Sequence, residues 1–329
     1  MASTPEPVVW TGSLKELPTD EPALLVAGRY LIGEGLVWCD ETHKLWYIDI
    51  EGKKLCRLGA KQGEGGGGVE AVSWVLPKRP GSMALLRSDP AGSRVLLALE
   101  DGFCFYKPET GEREDLPGGD YVQEGNVRLN DGRCDRQGRF LCGGINLVNV
   151  DQALEVWEAT MGAYAVEAGK GPRRVLADTA FRCYNGTAFS PDGRTVYLTD
   201  SPVKEVSAYD YDTDKGAPAG PRRLFAKVEG GVADGATVDS EGCLWVAVYS
   251  GSEVWRLSPA GEVLRIVKVP SASRPTCVAI GGPDLDILFI TTACIGATDE
   301  ELAAEPNAGG LLALKLEGIK GLPEPKFAA

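Results

Sequence analysis

Residues 184–201 read YNGTAFSPDGRTVYLTDS, a short run, a turn built on Asp192-Gly193, and a strand-forming run from Thr195 to Thr199. Asp and Gly satisfy a tight turn, and the β-branched and aromatic residues that follow favour a strand, so the segment predicts a β-hairpin. The same signature recurs along the chain. Asp239 to Gly242 precedes Leu244-Trp245-Val246-Ala247, Asp135 to Gly138 precedes Phe140-Leu141, and Asp89 to Gly92 precedes Val95-Leu96-Leu97-Ala98. Asp40 precedes Leu45-Trp46-Tyr47-Ile48, and Asp284 precedes Leu288-Phe289-Ile290. The leading Asp residues stand at 40, 89, 135, 192, 239 and 284, so successive intervals are 49, 46, 57, 47 and 45 residues. Self-similarity at this period is the mark of a propeller, each unit having room for four short strands.

The chain is therefore expected to be all-β, a six-bladed β-propeller forming a single domain over residues 1–329. The run Gly309 to Leu316 predicts a last strand, closing the ring with an N-terminal strand near Val8-Val9-Trp10. Residues 1–20 are read as either that closing strand or a loose extension. Helical periodicity is weak, with Asp151 to Gly162 the only candidate, and the glycine-rich run Gly63 to Gly68 predicts a flexible loop between strands.

Composition narrows the function classes. The 329 residues carry a formal net charge of -13, which disfavours nucleic acid or an anionic membrane surface as partner. No apolar run approaches the roughly 18 residues of a membrane span. The opening MASTPEPVVWTGSLKELP has neither a basic nor an apolar segment, so no secretory signal is expected. The nine cysteines are odd in number and never paired as CxxC, which argues against a disulfide framework and for a reducing, cytoplasmic setting. The single histidine, His43, falls in a turn and is expected to be solvated. With no second histidine, a His-based zinc hydrolase is excluded, and no G-x-S-x-G elbow supports a serine triad.

In a propeller the innermost strand of each blade lines the channel, and it ends at the repeated turn. Residues five to seven positions before each leading Asp should thus approach the axis. They are Glu34, Met83, Asn130, Asn185, Asp234 and Cys277. Four are oxygen donors set in glycine: Gly33-Glu34-Gly35, Asn130-Asp131-Gly132, Asn185-Gly186 and Asp234-Gly235. Carboxylates brought together out of water need a cation between them. Oxygen-only ligation suits a hard divalent ion such as Ca, Mg or Mn, and Zn or Fe can also occupy it. Cys277 is read as packing or channel wall.

These residues also carry a resemblance. GEGLVW around Glu34, VRLNDGRCDRQGRF around Asn130, the 184–201 segment, ADGATVDSEGCLWVAVYSGSEVWRLSPAGEV from Ala233, PTCVAIGGPDLDILFITTA from Pro275 and the tail ELAAEPNAGGLLALKLEGIKG resemble the regucalcin (senescence marker protein), gluconolactonase and luciferin-regenerating enzyme family. The resemblance runs from about Glu34 to the end of the chain. It implies metal ligation by Glu34, Asn185 and Asp234, and substrate binding by Arg128 and Asn130. It also implies one divalent metal ion as cofactor and hydrolysis of aldonolactones such as gluconolactone, a small-molecule sugar lactone being the partner. Asp234 is the candidate catalytic base. Two departures stand out: Ala233 replaces the usual Pro before Asp234, and Ile145-Asn146-Leu147-Val148 replaces the usual Met and acidic residues after Gly143-Gly144. The second bears on which lactone is accepted. Two other functions remain open on these residues: a metal-dependent esterase or organophosphate hydrolase, and a non-catalytic calcium-binding propeller.

Overall fold

A computed structural model describes residues 3–61, 68–89, 91–118, 126–148, 150–176 and 179–329. Six antiparallel sheets stand around one axis as a six-bladed β-propeller. The innermost strands are Gly33–Cys39, Pro80–Leu85, Val127–Cys134, Tyr184–Phe189, Val232–Val238 and Pro275–Gly281. Each runs into one of the six repeated turns and returns as the second strand of its blade.

The turns work as their sequence implies. The Asp135 carboxylate accepts the N–H groups of Gln137 and Arg139 at 3.0 and 2.9 Å, and Asp239 accepts those of Glu241 and Cys243 at 3.0 Å each. Asp89 and Asp192 accept the N–H two to five residues on in the same way. In the first blade His43 takes the left-handed backbone (φ 52°) and lies exposed.

Apolar side chains on the blade faces pack against the next blade, and six buried clusters result, one at each seam. Trp38 of the first blade stacks on Phe289 of the sixth, with ring centroids 5.8 Å apart. All nine cysteines are buried, and none is joined in a disulfide. No helix among the described residues is long and apolar enough to cross a membrane.

The ring is closed by an N-terminal strand, but a different one from that expected. Ala23–Val26 pairs with Leu311–Lys315 as the outer strand of the sixth blade. Val8 only touches it through a bridge to Val26, and Thr4–Pro5 joins the outer edge of the first blade instead. The segment Ala23-Leu24-Leu25-Val26 is apolar throughout, so it can be buried on both sides; Val8-Val9-Trp10 leaves Val9 48% exposed. One further expectation changes. The 151–162 region holds a single 3-10 turn, Leu154–Val156, whereas the α-helix found among the described residues is Asp299–Ala304, opened by a capping box between Thr298 and Glu301. Residues 63–67 of the glycine-rich run lie outside the described residues.

Leu25 is fully buried in the seam between the sixth and first blades. Leu25→Ala is expected to cost about 2–5 kcal/mol, read from urea unfolding. An unchanged midpoint would mean that this strand does not close the ring.

Candidate functional site

The inner strands share one irregularity. Each gains a residue relative to its neighbour, in the register steps Glu34/Val37, Pro80/Ser82, Leu129/Gly132, Asn185/Ala188, Ala233/Ala236 and Pro275/Val278. Such a bulge locally resets the alternation of side chains between the two faces of a strand. In the third blade the effect is plain. Arg128 and Asn130 line the main cavity, the bulge intervenes, and Asp131 and Arg133 line a smaller space behind it, while Leu129 is fully buried in an inter-blade core. One strand thereby places four polar side chains along the axis.

The bulge also reconciles a one-residue slip between blades. Glu34 and Asn185 remain paired across their hairpins, with Ile48 and Thr199, and are followed by Gly35 and Gly186 at φ 61° and 64°. Asn130 and Asp234 stand one place later, after the paired Leu129 and Ala233. Gly186 has a second reason to lack a side chain, because a Cβ there would lie 2.5 Å from the Thr199 hydroxyl and 3.1 Å from the Asp234 carbonyl.

All five residues singled out from sequence, Glu34, Arg128, Asn130, Asn185 and Asp234, border one cavity of about 640 Å³. The first four are buried; Asp234 is partly exposed toward the cavity. The other two ring positions differ. Met83 sits in the core between the first and second blades. Cys277 lies behind the cavity, where it lines the smaller space with Gly35 and Asp131.

Within the cavity the polar groups form one network. Arg128 donates through Nη1 to the Leu129 carbonyl at 3.1 Å and to Asn130 Oδ1 at 2.6 Å. Asn130 Nδ2 donates to the Tyr184 carbonyl at 2.9 Å and to Asn185 Oδ1 at 2.7 Å. The Arg128 Nε–H is buried with no partner among the described residues. Ile145 is the cross-strand neighbour of Arg128 and faces the same cavity, so the departure noted in sequence sets an apolar wall beside the guanidinium. Ile32, Ile50, Leu154 and Trp157 extend that wall.

The electrostatics are those of crowded acids. Burial pushes the Glu34 carboxyl up to about 8, with the nearby Asp131 adding to the shift against donation from the Gly35 N–H and the Cys277 thiol. Asp234 is raised well above the usual carboxylate range by desolvation, then by Glu34 and Asp131. Asp131 is raised by burial although it accepts the Thr187 N–H at 2.7 Å. Among the described residues neither Glu34 nor Asp234 forms an ion pair. Two acids and an amide side chain lining one cavity, with no basic side chain among the described residues paired to either acid, fit a hard divalent cation.

A second acidic group does not fit one. Asp239, Glu241 and Cys243 have ligand atoms within 4.8 Å of one another. Yet both Asp239 oxygens are already occupied, one by two backbone N–H groups and the other by Trp245 Nε1 and Arg256 Nε at 2.9 and 2.8 Å. Arg256 also bonds Glu241, so a guanidinium stands where an ion would.

Sequence reasoning passed over two groups at this site. Asp131 was legible as the middle of Asn130-Asp131-Gly132, and only the bulge turns it to the axis. Ser201, at the cavity edge, ends the run Leu198-Thr199-Asp200-Ser201, which reads simply as the end of a strand.

Comparison with known proteins agrees with this architecture. The family described as SMP-30/Gluconolactonase/LRE-like region matches residues 32–294, a span that takes in all six inner strands. An L-arabinolactonase of Azospirillum brasilense is 33% identical, covering 94% of this chain and 97% of its own. A 6-deoxy-6-sulfogluconolactonase of Pseudomonas putida is also 33% identical, over 91% and 95%. The crystal structure of a calcium-binding protein, regucalcin, from Agrobacterium tumefaciens matches with a TM-score of 0.82 at 25% identity, covering 95% of this chain and 99% of that one. With the propeller, the polar axis and these matches in agreement, the chain belongs to the SMP-30/gluconolactonase/LRE-like family.

Proposed function

We propose that this protein is a metal-dependent lactonase that opens sugar lactones to hydroxy acids. The observation that supports the reading is that Glu34, Asn185, Asp234, Arg128 and Asn130 all line one cavity. The L-arabinolactonase and 6-deoxy-6-sulfogluconolactonase relatives support a sugar lactone as substrate, and the calcium-binding regucalcin supports a cation.

Glu34, Asn185 and Asp234 would hold the cation. When bound, a divalent cation supplies Lewis acidity to the lactone carbonyl and makes a neighbouring water easier to deprotonate. Arg128 and Asn130 bind the sugar from one side. The buried guanidinium offers N–H donors in a water-poor setting, where a hydrogen bond to the developing oxyanion or a hydroxyl gains strength. Ile145 and Trp157 present apolar surface to the C–H faces of the ring and exclude water from that side. The water oxygen attacks the carbonyl carbon, and the ring C–O bond breaks. Asp234 takes the proton from the water and delivers it to the departing ring oxygen, leaving a hydroxy acid.

A pH-stat assay on a panel of aldonolactones is expected to show turnover that a chelator abolishes. Asp234→Ala is expected to lower kcat/KM by about 10²-fold or more. Activity surviving both would remove the mechanism, and turnover of paraoxon or phenyl acetate in place of lactones would move the substrate class. Arg128→Lys is expected to lower kcat/KM by roughly 10–100-fold, mainly through KM, as a charged hydrogen-bond fork is exchanged for a point charge. An unaltered KM would take Arg128 out of substrate binding.

The pH dependence has a definite sign. In the chelated protein the Glu34 carboxyl lies at about 8, above its ordinary value of 4.5. The stability it contributes is present below pH 4.5 and is lost as pH rises through 8. The melting temperature of chelated protein should therefore fall between about pH 5 and 8.5, and the gain on adding cation should widen over the same window. Parallel profiles with and without cation would contradict a cation set between these acids.

A further inference from the structure

The polar network of the cavity does not end at Asn185. Asn185 Nδ2 donates to Ser201 Oγ at 2.8 Å, and Ser201 Oγ donates to the Ala233 carbonyl at 2.7 Å. Four links thus run in one direction, Arg128 to Asn130 to Asn185 to Ser201 to Ala233.

Both ends of this chain are chemically fixed. A guanidinium can only donate, and a backbone carbonyl can only accept. From the first end, Arg128 requires the oxygen of Asn130 to face it, which turns the Asn130 amide nitrogen toward Asn185. From the other end, Ser201 has one hydroxyl hydrogen, and Ala233 takes it. Ser201 can then only accept from Asn185, which holds the Asn185 nitrogen on its side and the Asn185 oxygen on the other. That oxygen receives one hydrogen bond from Asn130 and keeps a second lone pair. An asparagine is a cation ligand only through this oxygen. With the amide turned over, the same site would offer an N–H to a cation.

We infer that Ser201 is a positioning residue that holds the nitrogen of the Asn185 amide on its own side and the oxygen on the side away from it, and so sets the affinity of the site for a divalent cation. The inference rests on the proposed role of Asn185 as a ligand. Ser201 is itself held by its surroundings. It is 6% exposed, and its backbone N–H donates to the Cys183 carbonyl at 3.1 Å. The preceding Asp200 accepts the N–H groups of Arg182 and Cys183 at 3.0 Å each. The hydroxyl therefore has little freedom to follow a turned amide. Its bond to the Ala233 carbonyl also ties the Asn185 strand to the residue just before Asp234, so one hydroxyl supports two of the three expected ligands.

The test is calorimetric titration of chelator-treated protein with Mn²⁺ and with Ca²⁺, in wild type and variants. Ser201→Ala is expected to weaken binding by about 10–100-fold, the range for loss of a group that orients a ligand. Ser201→Thr, which keeps the hydroxyl, should recover most of that loss. The deciding variant is Asn185→Asp, because a carboxylate has no nitrogen face to turn. In that background Ser201→Ala should cost no more than about twofold, since the orienting role it removes is gone. Wild-type affinity in Ser201→Ala, or an equal loss from Ser201→Ala with and without Asn185→Asp, overturns the positioning role while leaving the ligand set intact. Failure of wild-type protein to bind either cation overturns the ligand set, and the inference with it. Should Ser201→Ala misfold, the comparison of Ser201→Thr with Ser201→Cys carries the same reading, since a thiol accepts weakly: equal affinity of the two overturns it.

Discussion

One extra residue in each innermost strand governs this molecule. A regular strand sends alternate side chains to opposite faces, so a blade could offer the axis only every second residue. The bulges break that alternation at the same height in all six blades. They let the third blade present Arg128, Asn130, Asp131 and Arg133 in succession along the channel, and they let Glu34 and Asn185 reach the same cavity as Asn130 and Asp234 despite a shift of one place. Without them the ring would still fold as a propeller, but its axis would carry a different set of side chains.

A polar axis of this kind is costly, and the rest of the fold offsets the cost. Three acids, Glu34, Asp131 and Asp234, are drawn into the middle of the ring with Arg128 and Arg133. Desolvation opposes every one of them. The six inter-blade clusters are almost wholly apolar and place Trp38, Trp46, Trp74, Trp245 and Phe289 against neighbouring strands. Burial of that surface supplies the surplus that tolerates the strained centre. The arrangement is the common one in which a site breaks local rules that the scaffold obeys elsewhere.

How much of this could be read in the sequence follows from the same division. The turns were legible because four of the six use particular chemistry, Asp89, Asp135, Asp192 and Asp239 accepting backbone N–H groups beside Gly92, Gly138, Gly193 and Gly242 at positive φ. Their spacing gave the blade number, and the channel-facing residues followed from counting back from each turn. Counting back fails at Met83 and succeeds only to within one residue elsewhere, because a bulge adds a residue that no side-chain type announces. Asp131 and Ser201 were missed for related reasons. The first faces the axis only through the bulge, and the second matters only through hydrogen bonds to residues distant in sequence, Asn185 and Ala233. The closing strand was placed too early because Val8-Val9-Trp10 and Ala23-Leu24-Leu25-Val26 have the same local propensity; what separates them is burial on both faces, a tertiary property.

The far end of the axis shows how the acids are kept in place. The C-terminal segment crosses the back of the ring. Lys320 accepts through its carbonyl from the Ser240 N–H of the fifth blade, Glu324 pairs with Arg133 of the third at 3.0 Å, and Phe327 exchanges backbone hydrogen bonds with Leu85 and Arg87 beside the second. Phe327 is fully buried there. Glu324 thus answers Arg133 from behind, and Arg133 answers Asp131 from the side away from the cavity. Charge alternates along the axis from the tail inward, Glu324, Arg133, Asp131, and there the alternation stops: Asp131, Glu34 and Asp234 are all acids, and among the described residues neither Glu34 nor Asp234 forms an ion pair. The proposed cation would supply the positive charge that the sequence of signs lacks at that point.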